Sequence, residues 1–544
     1  MGSSTSSRSE TNREDAQESH VEYPVKADGF QHLEAIGSLT TGPSTAMQHV
    51  TPLMVALSCF IAIGGFVLNF DLGYTGLVLV MQPFNKAFGS CTVVNGVETC
   101  ALPATGQSLA SSIYLLFMAL GGALSGFVVK YLGTRSTAQV GCVWIIVGAA
   151  GMLGCTGNLT AYIVCKCIGA TGIGHIQTMT TTYGVECAPS RHRGKLTAVY
   201  SCGSGFGALI VSCVCLGTLE IKNDWCWKLP ILLQIPVALV FGLGFFIFPE
   251  SPRWLLSKDR VDEAAKSFGR LYKRDPASAE VANQIRCVKL AIDIEKQMAA
   301  ESNWVEIFHP KFIRRTLTSC SINVCGALSG AFFIFTYAAL FIESVGTFSN
   351  SIQVSVIINA CLFAGLCFGP FLMDLIGRRW LILSGYLGMM SCMVIFAAVS
   401  SGLGSESDVV HDVLVVFLCL WAVFFGGCIG SSQWLTSAEM HAIRHRPRAQ
   451  AFNISVTNVF VFATNFWTPY MLNAEYGNMG TNVGYFYFGT ELVAFVLLFF
   501  ILPENALLTL EQIDEYFMSG RKPWKTSLRR NKRIARGEIG VGDD

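Results

Sequence analysis

The sequence predicts an all-α membrane protein built as two six-helix bundles that are related by a pseudo-two-fold axis. Three observations lead to this prediction: an apolar composition, twelve apolar runs of spanning length, and loop motifs that recur between the two halves. Of the 544 residues, 52% are hydrophobic and only 14% are charged. One soluble core does not need this much apolar surface, so the expected solvent is lipid.

The charge pattern excludes several other classes of protein. The formal net charge is +1, and the basic residues are spread among short loops, so we expect no nucleic-acid partner. The sequence shows no zinc-ligand spacing, P-loop lysine or nucleophile elbow. We therefore expect neither an enzyme nor an ATP-driven pump, and no metal or cofactor.

Each of the twelve runs is long enough for a membrane helix, because about 20 apolar residues cross a hydrocarbon core of roughly 30 Å. Those of the first half lie near 52–80, 107–129, 137–156, 161–182, 196–217 and 229–248, and those of the second half near 316–342, 351–373, 380–401, 413–438, 449–474 and 481–502. The expected organisation is a disordered cytosolic tail over 1–50, an N-terminal bundle over 51–248, amphipathic linker helices over 249–313, a C-terminal bundle over 314–502, and a cytosolic tail over 503–544.

The short loops indicate the orientation of the chain. One set is rich in arginine and lysine, from Lys130 and Arg135 to Arg448, whereas the alternate set carries little beyond Lys86, Lys222 and Lys228. The positive-inside rule then places both termini in the cytosol. Cys91 and Cys100 flank a polar loop on the outer side and are the candidate disulfide, while most other cysteines lie in apolar runs as packing residues. We expect a monomer in the cell membrane.

Three loop motifs recur in the same order in both halves. The first motif occurs in the N-terminal half as Gly126-x-x-x-Lys130-x-x-Gly133-Thr134-Arg135 and in the C-terminal half as Gly369-x-x-x-x-Asp374-x-x-Gly377-Arg378-Arg379. The second pairs Glu186 and Arg193 with Glu439, Arg444 and Arg446. The third pairs Pro249-Glu250-Ser251-Pro252-Arg253 with Pro503-Glu504 and the Leu510–Phe517 segment. A repeat between halves is typical of transporters whose substrate site lies at the repeat interface.

These motifs resemble the sugar-porter branch of the major facilitator superfamily, in particular its fungal members, from about residue 52 to 518. The strings that carry the resemblance are PESPRWL at 249–255, D-x-x-G-R-R at 374–379, the tryptophan-to-arginine string from Trp434 to Arg446, and PE with LEQID at 503–514. The resemblance implies the major facilitator fold and transport of a solute. Lys130 departs from the family, which usually has an aspartate there.

The charged loop residues are the predicted gate. Carboxylate and guanidinium groups at the cytosolic ends of neighbouring helices can form charge-assisted pairs that hold the two halves together. The alternative is ordinary interfacial charge. The candidate gating residues are Glu186, Arg193, Glu250, Arg253, Asp374, Arg378, Arg379, Glu439, Arg444 and Arg446.

Two charged residues interrupt the apolar runs. An ionised group at mid-bilayer costs about 2.5–3.5 kcal/mol on insertion scales, so Asp71 and Lys166 each need a reason to be there. In the family resemblance Asp71 falls on a first-helix carboxylate linked to proton coupling, and Lys166 on its fourth-helix arginine partner. We expect this pair to couple protons to transport; a static ion pair in a uniporter is the alternative. His175 is a weaker candidate for a relay.

The predicted substrate cavity departs from the family. Ala208 and the run from Gly326 to Phe332 replace amides that would bind a hexose, so a site for plain glucose is not expected. The remaining candidate ligands are Asn323, Ser329, Phe332, Tyr337, Asn359, Gln433, Trp434 and Asn458. The leading hypothesis is proton-coupled symport of a sugar, glycoside or polyhydroxylated solute. The alternatives are export of a small secondary metabolite and a non-transporting sugar sensor.

Overall fold

The computed structural model describes residues 51–94, 97–188, 193–301, 303–345, 351–403, 408–442, 445–473 and 475–540. The expected N-terminal tail over 1–50 lies outside these residues, and so does Arg444. Within the described ranges the chain is almost entirely helical, apart from one two-stranded sheet. The predicted all-α class is confirmed.

Twelve long helices lie at the places that the twelve apolar runs predict, and we number them spans 1 to 12. Spans 1 to 6 are Pro52–Val78, Ala104–Leu132, Thr134–Gly154, Leu159–Cys187, Arg193–Thr218 and Trp225–Gly244. Spans 8, 9, 11 and 12 are Ser351–Ile376, Arg378–Leu403, Arg446–Leu472 and Val483–Ile501. Among the described residues, eleven helices are both long and apolar enough to cross a membrane; span 11 has the length but is more polar.

Spans 7 and 10 are interrupted. Span 7 runs over Pro310–Leu328, a π-helical segment at Phe333–Tyr337, and Ala338–Val345. Span 10 runs over Asp408–Phe424, a π-helical segment at Phe425–Gly430, and Gln433–Glu439. In span 7 the break coincides with Gly330, whose φ of +89° suits glycine. Such π-segments are frequent at functional sites.

A small hairpin that the sequence did not predict follows span 1. After a short helix at Gln82–Phe88, strand β1 (Ser90–Val94) pairs antiparallel with strand β2 (Val97–Ala101). Cys91 lies directly opposite Cys100 in this ladder, and a disulfide joins them. We call the end of the bundle that carries the hairpin the hairpin end, and the opposite end, which carries residues 249–313, the linker end.

The two halves approach each other closely towards the hairpin end. Gly76 in span 1 packs so tightly on span 7 that a Cβ atom there would lie 1.8 Å from the Thr336 carbonyl oxygen. Ser108 in span 2 donates a hydrogen bond of 2.8 Å to the carbonyl of Phe466 in span 11. Near the middle of the spans, the rings of Phe206 and Phe363 lie 5.7 Å apart across spans 5 and 8.

The linker and the C-terminal segment both fold against the bundle. The linker forms helices at Pro252–Ser257, Val261–Tyr272 and Ala279–Glu301. The C-terminal segment forms a helix at Leu528–Ala535. Asn531 and Ile534 are buried there, and Asn531 donates to the carbonyls of Glu504 and Ala506.

Candidate functional site

Asp71 and Lys166 meet inside the N-terminal half. Spans 1 and 4 place their side chains so that Lys166 Nζ lies 2.8 Å from Asp71 Oδ1, with both groups almost completely enclosed. Lys166 Nζ also donates to the carbonyl of Asp71 at 3.3 Å. Because the surroundings are apolar helices, each charge depends on the other for stabilisation.

The ammonium of Lys166 is held by two tyrosines as well. Its Nζ lies 2.8 Å from Tyr74 Oη, and it stands over the rings of Tyr74 and Tyr114 at 4.2 Å and 4.7 Å from their centroids. Aromatic faces attract a desolvated cation by about 2 kcal/mol or more. Lysine in place of the family's arginine is therefore accommodated, since a compact ammonium needs fewer acceptors than a guanidinium fork.

Asp71 keeps one oxygen without a hydrogen-bond partner. Its Oδ1 accepts from Lys166 and, at 2.8 Å, from Gln234 Nε2 in span 6, whereas the buried Oδ2 accepts from no group of the described chain. A cavity of about 10 Å³ lies beside Asp71 and Gln234, close to the smallest volume that holds a water. This oxygen can therefore accept a further hydrogen bond.

His175, the candidate relay, lies apart from this arrangement. Its Nδ1 is 2.9 Å from the carbonyl of Thr171, one turn earlier in span 4. Its ring is buried, and within the described residues it forms no hydrogen bond to Asp71 or Lys166. The geometry is that of a packing histidine.

Three of the predicted substrate ligands come together where spans 7 and 10 touch. Asn323 Nδ2 donates to Ser437 Oγ at 3.0 Å, and its buried Oδ1 has no hydrogen-bond partner in the described chain. Gln433 Oε1 is likewise buried without a partner and occupies the space beside Gly326, where a Cβ atom would lie 2.0 Å from it. Ser329 donates to the Gly326 carbonyl. Two unused amide oxygens in one place can accept hydroxyl groups.

Two other predicted ligands connect the halves instead. The hydroxyl of Tyr337 in span 7 contacts that of Ser111 in span 2 across the two halves, and it also donates to the carbonyl of Asn465 in span 11 of its own half at 3.0 Å. Asn359 Nδ2 in span 8 donates to Ser212 Oγ in span 5 at 2.8 Å. In this conformation both side chains are committed to contacts between the bundles.

The remaining predicted ligands are less enclosed. Trp434 is 40% exposed, and Asn458 and Phe332 are half-buried. The side chains of Trp434 and Asn458 form no hydrogen bond to the other predicted ligands in the described chain. A larger cavity of about 430 Å³ among spans 1, 5 and 6 is lined by apolar residues such as Phe66, Phe206 and Pro236, so it lacks groups that would bind a polyol.

The gate motifs of the N-terminal half anchor span 3. Glu250 accepts from the backbone N–H groups of Thr134 and Arg135, at 3.2 and 3.3 Å, at the start of that span. A carboxylate is stabilised at a helix N-terminus. Gly133 permits this approach, since it has a φ of +93° and a Cβ atom there would lie 2.7 Å from Glu250 Oε2.

The C-terminal half contains the same arrangement of a glutamate at a helix N-terminus. Glu504 accepts from the N–H groups of Arg378 and Arg379 at 3.0 and 3.1 Å, at the start of span 9, and Gly377 has a φ of +91°. Burial raises the pKa of Glu504, and these backbone donors oppose that rise. Arg378 also lies 3.4 Å from Glu439. The recurrence of the loop motifs thus has a structural reason.

These gate contacts differ from the expectation in one respect. The predicted pairs were to hold the two halves together, but the contacts of Glu250, Glu504 and Glu439 join helices of the same half. Glu186 accepts from Ser251 at 2.6 Å, and Arg253 pairs with Glu295 of the linker at 2.5 Å. Of the other predicted gate residues, Arg379 donates to the carbonyls of Phe499 and Leu502, and Arg446 lies within electrostatic reach of Glu439. Asp374 is exposed, and the side chain of Arg193 lies outside the described part of the chain.

Sequence reasoning missed four buried polar residues. Tyr74, Tyr114 and Gln234 lie inside the first, second and sixth apolar runs, where no sequence pattern marks them as polar contacts. Glu491 in span 12 is fully buried and was overlooked, although a carboxylate in an apolar run is a recognisable signal. Only packing shows which of these meet Asp71.

The chain matches a family model described as "Sugar (and other) transporter" over residues 57–517. Among curated proteins, it is 27% identical to hexose transporter HXT13 of Saccharomyces cerevisiae, over 93% of this chain and 91% of that one. It is also 27% identical to a low-affinity glucose transporter of Kluyveromyces lactis, over 92% and 88% of the two chains.

Solved structures share the architecture. An inward-open conformation of the xylose transporter XylE from E. coli superposes with a TM-score of 0.68 at 17% identity, over 85% of this chain and 99% of that one. The proton:xylose symporter XylE bound to 6-bromo-6-deoxy-D-glucose gives a TM-score of 0.67 at 18% identity, over the same shares. At this level of identity the likeness concerns the fold.

Proposed function

The chain belongs to the sugar transporter family of the major facilitator superfamily, and we propose that it moves a sugar, glycoside or other polyhydroxylated solute by proton-coupled symport. Membership follows from the match over residues 57–517. It makes the chain a multi-pass membrane transporter with the major facilitator fold rather than an enzyme, as the sequence predicts. The substrate class is supported by relatives that are described as hexose and glucose transporters.

The observation that carries the coupling proposal is the enclosed pair of Asp71 and Lys166 with one free carboxylate oxygen. The 2.8 Å contact stabilises the ionised form of Asp71, while burial without that contact stabilises the protonated form. A change in the distance between spans 1 and 4 therefore changes the affinity of Asp71 for a proton. A protonated Asp71 releases Lys166 to its tyrosine contacts, and this exchange links proton uptake to helix movement.

The substrate is proposed to bind between spans 7 and 10, where the free oxygens of Asn323 and Gln433 lie. Hydroxyl groups of a polyol would donate to these oxygens, and Trp434 would supply a stacking face. Tyr337 and Asn359 would act at this site by closing the bundles around the solute. The gate residues would stabilise the linker end of each half during the same movement.

The cellular setting is also part of the proposal. We propose that the linker end and both termini face the cytosol, because loops rich in arginine and lysine lie at that end. The hairpin with its disulfide then faces the outside, where disulfides persist. We propose that the protein works as a monomer in the cell membrane.

The test is uptake of labelled hexoses, disaccharides, polyols and sugar acids into cells that lack their own sugar carriers, with and without a protonophore. We expect one class of solute to accumulate above its external concentration, and the protonophore to abolish that accumulation. Asp71→Asn should remove accumulation, whereas Asp224→Asn, a matched change at a half-exposed carboxylate, should not. Accumulation that resists the protonophore would remove proton coupling, and uptake of none of the solutes would remove the substrate class.

A further inference from the structure

Glu491 is a second carboxyl group at membrane depth, in the C-terminal half. It lies in the middle of span 12 and is 0% exposed. Its Oε1 accepts a hydrogen bond of 2.7 Å from Trp421 Nε1 in span 10. Its Oε2 is buried and accepts from no described group. The coupling proposal does not use this residue.

No charge compensates Glu491. Among the described residues it has no salt bridge, unlike Asp71. The titratable groups near it on the packed spans are Tyr386 and Cys392 of span 9, and Cys325 of span 7 next to Tyr386. All three are neutral at pH 7, and the Tyr386 hydroxyl also has no hydrogen-bond partner in the described chain. An isolated ionised carboxylate in such a place takes up a proton instead of remaining charged.

The internal repeat relates this site to that of Asp71. Spans 10 and 12 correspond to spans 4 and 6, which supply Lys166 and Gln234. When Glu186 is aligned with Glu439, Lys166 falls two residues before Trp421. The two carboxyl groups lie on helices that the repeat does not pair, Asp71 on span 1 and Glu491 on span 12, but the indole N–H of Trp421 lies near the place that corresponds to the ammonium of Lys166.

Trp421 connects Glu491 to the interrupted parts of spans 7 and 10. Its ring stacks on Phe425 with centroids 5.1 Å apart and an interplanar angle of 8°, and it lies 6.0 Å from Phe335. Phe425 begins the π-segment of span 10, and Phe335 lies in that of span 7. A shift of Trp421 would therefore reach both segments.

We propose that Glu491 is a second proton-binding site, which holds its proton as a neutral carboxylic acid throughout the transport cycle and positions Trp421 against the π-segments of spans 7 and 10. Its ligand is a single proton. It is a positioning residue, because it acts on the substrate site through Trp421. The inference is independent of proton coupling at Asp71, since proton occupancy can be measured in the purified protein without transport.

Infrared difference spectroscopy of the purified full-length protein at pH 7 tests the bound proton. The expected spectrum contains the carbonyl stretch of a protonated carboxylic acid, shifted in D₂O, that is absent in Glu491→Gln and present in Glu220→Gln, a matched change at an exposed residue. Dicyclohexylcarbodiimide, which reacts with protonated carboxyl groups in apolar surroundings, should label Glu491, as read by peptide mass spectrometry. An unchanged spectrum in Glu491→Gln together with no labelling would overturn the proposal.

Uptake kinetics test the positioning role. Glu491→Gln keeps a neutral group that accepts from Trp421, so we expect a KM within about twofold of the original and the same pH profile. Glu491→Leu leaves the buried indole N–H without an acceptor, and we expect KM to rise by about tenfold. Equal damage in both variants, or a displaced pH profile in Glu491→Gln, would contradict a proton held throughout the cycle. If Glu491→Leu fails to fold, the spectrum and the labelling still decide the question.

Discussion

Tyr74 Oη lies 2.8 Å from Lys166 Nζ, the same distance that separates this ammonium from Asp71 Oδ1. The ammonium is thus shared between a carboxylate and a phenol hydroxyl. If Lys166 separates from Asp71, as the coupling proposal requires, it keeps a hydrogen bond to Tyr74 and two aromatic faces. This arrangement reduces the cost of an unpaired buried cation, which otherwise makes breaking a buried pair unfavourable by about 3–5 kcal/mol.

Asp71→Asn is expected to abolish accumulation but to keep exchange of solute across the membrane. Asparagine has a similar shape and still accepts from Lys166 and Gln234, so the helices can pack, but it carries no titratable proton. Counterflow of labelled solute into preloaded vesicles should remain, while protonophore-sensitive accumulation should disappear. Accumulation at the original level in the variant would assign the proton to another group.

Tyr74→Phe is expected to weaken transport by removing one hydrogen bond from Lys166 while leaving the aromatic face. The loss of one buried partner of a charged group corresponds to about 1.5–3 kcal/mol, or roughly a tenfold or larger fall in kcat/KM. The measurement is initial uptake rate over a range of pH. Tyr131→Phe, at an exposed tyrosine, is the control and should leave the rate unchanged.

Much of the architecture follows from the sequence, because lipid imposes a strong rule. Every spanning segment needs about 20 apolar residues, so the twelve helices and their order were predictable to within a few residues. The meeting of Asp71 and Lys166 was expected from the family resemblance, and it also satisfies two opposite charges that apolar runs would otherwise leave unpaired. The glycines before span 3 and span 9 were recognised as a repeat, although their positive φ angles were not.

What escaped prediction depends on packing rather than on periodicity. Tyr74, Tyr114 and Gln234 look like ordinary members of apolar helices. Only the packing of spans 1, 2, 4 and 6 brings them into contact with Lys166 or Asp71. The hairpin at β1 and β2 is too short to give a clear pattern of alternation. The gate carboxylates were predicted to link the halves, but they bind partners within their own half. Sequence alone does not reveal which neighbouring helix the end of a helix meets.

Gly76→Ala is expected to prevent the two halves from closing at the hairpin end. The added Cβ atom would lie 1.8 Å from a backbone oxygen of span 7, which cannot move aside as a flexible side chain can. Uptake should fall by tenfold or more at normal surface abundance, and amide hydrogen exchange should rise at the adjoining ends of spans 1 and 7. Gly154→Ala is the control, because an added Cβ atom there would meet no side chain or neighbouring helix within 4 Å. Normal uptake in Gly76→Ala would show that this contact is not needed.

Gly326→Ala is expected to change affinity more than maximal rate. Its Cβ atom would lie 2.0 Å from Gln433 Oε1, so the glutamine side chain must turn away from its present place. If this amide binds the solute, KM should rise by about tenfold, and Gln433→Leu should give a similar rise. The two changes together should cost little more than either alone, because both remove the same contact. Additive losses would place Gln433 outside the substrate site.

His441 should make the stability of the protein fall as the pH is lowered. It lies after span 10, where burial lowers its pKa to about 4, and a hydrogen bond of 3.0 Å links its Nε2 to Ser319 Oγ. An unfolded histidine has a pKa near 6.5, so between about pH 6.5 and pH 4 the unfolded state binds the additional proton. The stabilisation is therefore complete above pH 6.5 and is lost on acidification, at about 1.4 kcal/mol per pH unit in the middle of that window.

The unfolding temperature of the detergent-purified protein should fall from pH 7 to pH 5, and His441→Gln should reduce this slope because glutamine does not titrate. His309→Gln, at an exposed histidine, should keep the original slope, and an unaltered slope in His441→Gln would mean that other groups cause the acid sensitivity.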